Sequence, residues 1–541
     1  MKGIGGRAAE KFALLGACAL LLVVATPAAA ETFTVSNGGD SGAGSLRQAI
    51  TGAETNANDP TIDQVQINFA GNIDLLSQLP PIDTPMSITG PGVNNLNVRR
   101  SPTAGMTQFR LFAFDPGAPA TVAVQGMTIS GARATGFAGG AMLKDGTGSL
   151  VLNSVWITDS QTPTGSGGAL QCLDGSTSIR NSTLSANVAG FGGGFAATSS
   201  CTADLSNVTA AGNFANEFGG GIYISGSSHI TVNSSTIVDN KADADDMTGG
   251  GGGGSYNASG GTAPTFSVAN TLYAGNTVGT AGAADQTQCG GGDHTSSGYN
   301  LRTVDDSGCT GFEDTTDIVD ANPLLGALMV NVIGPPTVAL QVGSPAINKG
   351  NPATPGDAYP ACPPVDERAL PRGAFGNRCD IGAFEVQRNT TTTAVDCAPA
   401  SLTLGTGNST CTATVTDSGS SFPVSPPTGT LSFNSGGAGA FDPTSCPLTM
   451  LSSSEASCEV TYTPTAAGSG SHVITGAYGG DADHGSSQGS VEVGVVSPPA
   501  PPSPPAAAKT GKRAAALKKC KKKPKGPKRK KCVKRAKRLP V

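Results

Sequence analysis

Between Gln125 and Thr277 short apolar runs alternate with glycine and asparagine at nearly fixed intervals. The runs 127–130, 155–158, 183–185, 208–210, 236–238 and 271–273 are rich in small, β-branched and aliphatic residues. Each follows an amide anchor, in order Gln125, Asn153, Asn181, Asn207, Asn233 and Asn270, at spacings of 28, 28, 26, 26 and 37 residues. Six or seven residues beyond the last five anchors stand Asp159, Asn187, Asn213, Asn240 and Asn276. Glycine pairs at 139–140, 167–168, 193–194 and 220–221 lie 12 to 15 residues past the first four anchors. Self-similarity at a fixed period marks a solenoid, in which each unit buries its apolar face only by stacking on the next.

A coil of about 26 residues with three short strands can stack by parallel pairing at about 4.8 Å per coil. Ile129, Ile157, Leu184, Ile237 and Leu272 would then form columns inside a narrow core. Asparagine at one corner accepts a bent backbone and can bond its own chain and the next asparagine. Glycine at the other corner admits positive φ. The pattern predicts an all-β chain built on a right-handed parallel β-helix, with the Asn and Asp columns acting as structural ladders.

Outside the repeats the texture changes three times. Residues 32–35 predict a strand, followed by a glycine-rich turn and a helical turn from Ser45, an amphipathic cap for the open end of the helix. Runs 65–69, 86–89, 96–98, 109–114 and 121–124 predict early, irregular coils, and the glycine run 249–254 predicts a mobile insertion. From Thr390 to Val496 about seven alternating strands replace the Asn-Gly period and predict a β-sandwich. Residues 498–505 form a proline-rich linker. The boundaries are 1–30, 31–388, 389–496, 497–508 and 509–541.

Composition adds a compartment. The chain has 541 residues with 76 glycines, one tryptophan and 13% charged residues, which suits turn-rich β structure. Lys2, Arg7 and Lys11, the apolar run 12–25 and the A-x-A site 28–30 make residues 1–30 a secretory signal peptide. Of 13 cysteines, Cys18 falls in that segment. The others form six sequence-local pairs: Cys172 with Cys201, Cys289 with Cys309, Cys362 with Cys379, Cys397 with Cys411, Cys446 with Cys458, and Cys520 with Cys532. In an exported chain these are disulfide candidates. Stacking of adjacent coils would bring Cys172 and Cys201 within reach of one another. None of the pairs has the C-x-x-C spacing or neighbouring histidines of a zinc site. Residues 509–541 hold 17 of the 34 basic residues and no acid. Residues 31–508 keep 14 basic and 38 acidic residues, a net charge of −24, so an acidic body carries a cationic tail, expected to be disordered.

Several segments resemble known families. Gly44-Ser45-Leu46-Arg47-Gln48-Ala49-Ile50 resembles the N-terminal motif of secreted CSLREA-domain proteins, without its Cys and Glu. The Gly-Gly-Ile and Asn elements (Gly220-Gly221-Ile222, Asn213) resemble polymorphic outer-membrane protein repeats. Gly298-Tyr299-Asn300-Leu301, Gly343-Ser344-Pro345-Ala346-Ile347-Asn348, Asp366-Glu367-Arg368 and residues 378–385 resemble the choice-of-anchor region of bacterial surface β-helix proteins. That resemblance implies a surface location, no catalytic residue, and residues 380–384 as a last strand and lid. Residues 427–433 and Tyr478-Gly479-Gly480-Asp481 resemble bacterial Ig-like repeats, which implies a spacer.

Enzymes that act on polysaccharides use pectin-lyase-like β-helices, so catalysis is the alternative. A lyase needs a strong base and acids holding Ca²⁺; a hydrolase needs paired carboxylates. The repeats hold only Arg133, Lys144, Arg180 and Lys241 as bases. Val155-Trp156-Ile157-Thr158-Asp159 echoes a lyase motif but lacks its histidine, and Asp243, Asp245 and Asp246 read as a solvated acidic loop rather than a Ca²⁺ site. No catalytic residue, metal or cofactor is expected. The residues favour a secreted, non-catalytic rod that contacts cell-envelope or environmental polysaccharide. Its tail would associate with anionic envelope polymer or a membrane surface, and not with nucleic acid.

Overall fold

The strands Thr121–Ser130, Ser149–Thr158, Ser176–Ser185 and Thr202–Ala211 are each 10 residues long. Each bends once at its middle, where Gly126, Ser154, Asn181 or Asn207 adopts positive φ. Before the bend, alternate residues such as Val122, Val124, Leu150, Leu152 and Leu205 point inward and are buried; beyond it Ile129, Ile157 and Leu184 continue the core. Stacking these bent strands in parallel register gives a β-solenoid of about 9 turns, seen in a computed structural model of the chain. The structure describes residues 30–540 except 57–61, 104, 137–138, 246–249, 259–263, 280–284, 304–307, 321, 342, 374–377, 420–423, 437–438, 482 and 504–510. The proposed signal peptide, apart from Ala30, lies outside the described residues, as does Asp246.

Three parallel sheets run along the solenoid. The largest starts at Thr32–Val35 and ends at Ile318–Val319. The others are built on Gln161–Ser166, Val188–Phe191 and Phe214–Phe218, and on Met142–Lys144, Leu170–Cys172, Phe195–Ala197 and Ile222–Ile224. At the N-terminal end the helix Leu46–Thr55 buries Leu46, Ala49, Ile50 and Ala53. Ser45 caps it by accepting from the Gln48 backbone N–H, while the Gln48 side chain accepts from the Gly44 N–H. Arg47 pairs with Asp40 at 2.7 Å and donates to the Ser77 and Gln78 carbonyls, which fixes the cap on the first coils.

The corner residues explain the period and refine it. Register pairs Asn153 with Arg180, Arg180 with Ser206, Ser206 with Asn233, and Asn233 with Ala269. Asn181, Asn207 and Asn270 therefore sit at the bend (φ 49°, 53° and 50°), whereas Asn153 and Asn233 sit one place earlier. In those two coils Ser154 and Ser234 take the left-handed position. The second column is a continuous ladder. Asn187 Nδ2 donates to Asn213 Oδ1 at 3.0 Å, Asn213 to Asn240 at 2.9 Å, Asn240 to Asn276 at 2.9 Å, and Asn276 to Gln288 Oε1 at 2.8 Å. Each of these asparagines is fully buried. Asn213, Asn240 and Asn276 also accept from the backbone N–H of the preceding ladder residue. Asp159 lies outside this column. Ser160 fills the rung, donating its N–H to Asn187 Oδ1, and Asp159 turns outward to pair with Arg133 at 2.9 Å. A buried carboxylate there would have no proton to pass along the ladder.

At the opposite corner the backbones approach so closely that a Cβ on Gly168 would stand 2.2 Å from the Gly193 carbonyl oxygen. A Cβ on Gly220 would lie 2.4 Å from that of Gly253. Residues 250–254 do not form the expected mobile loop, and residue 249 lies outside the described residues. Gly252, Gly253 and Gly254 are buried and continue the corner stack, receiving the Gly220 and Gly221 N–H groups. Residues 246–249 and 259–263 of the 37-residue interval lie outside the described residues.

Residues 380–384 do not form a final strand or end lid. They lie along the flank of the solenoid, where Ile381 and Phe384 pack with Ala211, Val238, Leu272, Ala274 and Leu301. The outward positions of those coils are apolar, so the flank and not the end of the stack needed cover.

The chain divides into two units between Gln387 and Arg388. In the second, among the described residues, two five-stranded sheets, antiparallel except where Ser401–Thr403 runs parallel to Ser487–Val496, share a core that includes Val415, Leu431, Tyr462, Ile474 and Val493, an arrangement compatible with a β-sandwich. Short strands such as Ser401–Thr403 and Ser445–Pro447 add to the expected seven. Asp481 accepts from the Thr428 N–H and hydroxyl, each at 2.8 Å, and from the Asp483 and His484 N–H groups. Burial works to raise the pKa of its carboxyl, but these donors hold it well below the usual range.

All six cysteine pairs of the sequence are bonded in the structure. In the first unit Cys172 is bonded to Cys201, Cys289 to Cys309, and Cys362 to Cys379. Cys172 ends the strand Leu170–Cys172 and Cys201 immediately precedes Thr202–Ala211, so this bond ties one coil to the next, with Cα atoms 5.8 Å apart. Cys289 and Cys309 are both buried at the C-terminal end of the solenoid core. In the second unit Cys397 and Cys411 stand directly opposite each other on the antiparallel strands Thr391–Ala398 and Ser409–Asp417. The bond from Cys446 to Cys458 links strands of the two sheets.

The cationic tail is not disordered where it is described. Lys512–Lys521 and Pro527–Ala536 are helices joined by a bond between Cys520 and Cys532. Alanine, leucine, lysine and arginine favour helix, and Pro527 enters at the first turn. The reading from composition saw the lack of a core, which is real, since these helices bury only Cys520 and Ala536.

Replacing Asn213 by alanine removes a donor and an acceptor from the middle of the ladder and strands the Asn187 N–H. The expected loss is roughly 3 kcal/mol. Asp159→Asn, which keeps a residue tolerant of the φ of 48° at that position, removes only the charge of an exposed pair and should change stability by less than about 1 kcal/mol. Denaturant unfolding of both variants checks the pair.

Candidate functional site: a polar groove on the solenoid flank

Residues 356–365 run across the bend column and leave an open groove of about 400 Å³ against the coils. Asparagines at the bend or one place before it hold this segment. Asn207, Asn233 and Asn270 donate to the carbonyls of Val365, Ala361 and Pro360 at 2.8, 2.8 and 2.7 Å. Asn181 bonds back to Asn153 at 2.9 Å, and Asn207 to Asn181 at 3.0 Å. The first asparagine column is thus part ladder and part docking rail. Its second use could not be seen in the repeat, because the carbonyls it meets are 90 to 158 residues away.

The groove is lined by Arg180, Asp204 and Ser206 from successive coils and by Asp357 and Tyr359 from the crossing segment. Arg180 Nη2 meets Asp204 Oδ2 at 3.0 Å, with both side chains about half exposed. The Tyr359 hydroxyl lies 3.0 Å from Ser297 Oγ. Burial first, and nearby Asp204 as well, push the Tyr359 phenol above its ordinary pKa, so it stays a hydrogen-bond donor at neutral pH. The disulfide between Cys362 and Cys379 braces the segment. A guanidinium, a carboxylate and a phenol in one open groove match the donor and acceptor pattern of a sugar's hydroxyl groups.

The most strongly shifted carboxyls are elsewhere, in a sealed clasp. Arg372 donates to Glu385 Oε2 at 3.1 Å, to Asn207 Oδ1 at 2.9 Å and to the Gly382 carbonyl at 2.8 Å. Arg368 pairs with Asp366 and lies over the Phe384 ring at 3.6 Å. Glu367 accepts from Thr183 and Thr209, which stand in register on adjacent coils. Burial holds the Glu367 carboxyl well above the ordinary range. Asp380 is pushed up to about 7, first by burial and then by Glu385. Asp366, Glu367, Arg368, Asp380, Phe384 and Glu385 belong to the motifs 366–368 and 378–385, Arg372 lies between them, and their geometry binds the flanking segment to the coils. Ser255 Oγ and His294 Nε2 also meet, at 3.0 Å, in a position the sequence reading passed over. Both are fully buried, and burial lowers the His294 pKa to about 4, so this is a neutral core contact closed to substrate.

On the glycine-corner side Phe191, Phe218, Tyr223 and Tyr256 form a half-buried aromatic strip, with Tyr223 and Tyr256 parallel at 6.1 Å. Asp243 is nearly buried and Asp245 exposed. Among the described residues no group of three His, Cys, Asp or Glu converges to hold a metal ion. Among them, too, no helix is long and apolar enough to cross a membrane. Compared with protein-family models, curated proteins and solved structures, the chain matches none.

The clasp gives a pH dependence with a definite sign. Glu367 and Asp380 bind a proton more tightly in the folded state than in the unfolded chain, where a carboxyl titrates near pH 4. Their contribution is complete below that pH; the Asp380 part is lost as pH rises through about 7, and the Glu367 part is lost as pH rises through its own raised pKa. The solenoid should therefore melt at a higher temperature at pH 5 than at pH 8. Glu367→Gln, which copies the neutral acid, should narrow that difference in a calorimetric comparison.

Proposed function

We propose that this is a secreted, non-catalytic protein whose β-solenoid contacts polysaccharide through the flank groove. The antiparallel unit serves as an Ig-like spacer, and the cationic tail associates with anionic polymer of the cell envelope. The observation that carries the reading is a contrast in access. Arg180, Asp204 and Tyr359 line an open groove, while the carboxyls with strongly raised pKa and the Ser255–His294 contact are buried. A catalytic acid has to reach the glycosidic oxygen, and these buried groups do not.

Six disulfides and the proposed signal peptide support an extracellular setting. The CSLREA-like and choice-of-anchor-like motifs support a surface protein in the same way. Their residues Asp40, Arg47, Asp366, Arg368, Asp380 and Glu385 all serve the rod: the first pair fixes the cap, the others the flanking clasp. The resemblance to polysaccharide lyases has less support. Their polyuronate substrates share the sign of a body whose net charge is −24, and mutual repulsion works against that encounter.

A glycan array on the protein lacking residues 509–541 should reveal a bound neutral sugar. Arg180→Ala with Asp204→Ala should weaken that binding at least tenfold, about 1.4 kcal/mol. Release of reducing ends or unsaturated uronate from pectin or alginate by the same sample would defeat the non-catalytic reading.

A further inference from the structure

The tail has more shape than its composition requires. Its two helices and the bond between Cys520 and Cys532 enclose a concave surface of about 990 Å³. Lys519, Lys523, Lys528, Lys531, Arg535 and Arg538 line it together with both cysteines. No acidic residue occurs between Lys509 and Val541 to neutralise them.

Such a hairpin is electrostatically unfavourable. Lys530 and Lys534, and Lys531 and Arg535, stand one turn apart in Pro527–Ala536, and Lys518 and Lys521 stand three residues apart in Lys512–Lys521; like charges at those spacings destabilise a helix. Neither helix has an acidic residue in its first turn to offset the dipole. The buried side chains are too few to compensate. The covalent bond therefore keeps the basic groups converged on one surface against their repulsion.

We propose that the disulfide-closed hairpin is a preformed site for a linear, phosphate-bearing polymer, gripping several phosphates at once. This rests on the reading that the tail associates with anionic polymer, and adds that hairpin geometry, beyond net charge, sets the affinity. Planar guanidinium groups at Arg535 and Arg538 suit phosphate oxygens in pairs, and the lysines supply point charges. A second cationic surface of about 520 Å³, with Lys525, Arg529, Lys530 and Lys537, lets the polymer continue past the first. A lipid bilayer fits less well. Surface helices that enter it need an apolar face, and basic side chains line hollows on both sides of Pro527–Ala536.

The test uses the full chain with its disulfides intact, a Cys520→Ser/Cys532→Ser variant, and an Arg535→Ala/Arg538→Ala variant that keeps the bond. The probe is long-chain inorganic polyphosphate, titrated across salt concentrations. Wild type should bind with log K falling linearly in log salt, by about 0.7 per phosphate neutralised. The serine variant should bind at least tenfold more weakly at about 0.15 M salt, and the arginine variant at least threefold more weakly. Orthophosphate at equal phosphate concentration should not compete. Equal binding by wild type and the serine variant would remove the preformed site and leave simple charge attraction standing. Absence of binding by every form would remove both. Tighter binding to phosphatidylglycerol vesicles than to polyphosphate would make a membrane the partner and overturn the proposal. Salt-sensitive self-association that blocks polyphosphate binding would overturn it in favour of the acidic body of a second copy.

Discussion

Each coil of the solenoid must satisfy its corner backbone from the coils above and below, because the corners are too tight to satisfy it locally. That constraint selects the residues that repeat. Asparagine carries an acceptor for the N–H of the preceding rung and a donor for a carbonyl, so one residue answers both needs at every rung from Asn187 to Asn276. Glycine is needed at the other corner because the carbonyl of the neighbouring coil occupies the place of a Cβ. The apolar columns between the corners contribute burial, but the corners set the register.

The same constraint places the groove. At the bend column the side chains face outward, and three asparagines have amide groups left to donate. Residues 351–385 return from the end of the solenoid and use them, with Asn351 also donating its N–H to Asn270 Oδ1 at 2.8 Å. Thr183, Thr209 and Thr236 repeat in register on the neighbouring face and bond Glu367 and the Ala383 N–H. A repeat that evolved to stack coils therefore also supplies a periodic rail, and the flanking segment reads it like a template. The groove is the gap where segment 356–365 stands away from Arg180 and Asp204.

Acidic body and cationic tail divide the electrostatics. Burial in the clasp favours the protonated form of Glu367 and Asp380, while Asp204 and Asp357 remain at the groove. The tail gathers half of the chain's basic residues, in and around two short helices. The two signs of charge are thus separated along the chain.

How much of this was legible depends on the range of each interaction. The solenoid could be read because its signal is local and repeated: Ile157, Leu184 and Ile237 recur with their corners, and every coil states the rule again. The six cysteine pairs could be read for the same reason, since even the widest, Cys172 with Cys201, spans only 29 residues. A one-residue offset could not be read. Asn153 and Asn233 look like Asn181, yet only strand register shows that Ser154 and Ser234 take the bend, and that Asp159 yields its rung to Ser160. Nor did the sequence show that Gly252 and Gly253 are corners, since their insertion breaks the period. The clasp and groove lay furthest from reach. Arg372 meets Asn207 across 165 residues, a contact no local pattern encodes. The sequence by itself determined the stack, because stacking depends on near neighbours in the repeat; only the tertiary structure decided which face is covered and which stays open, because that depends on where a distant segment comes back.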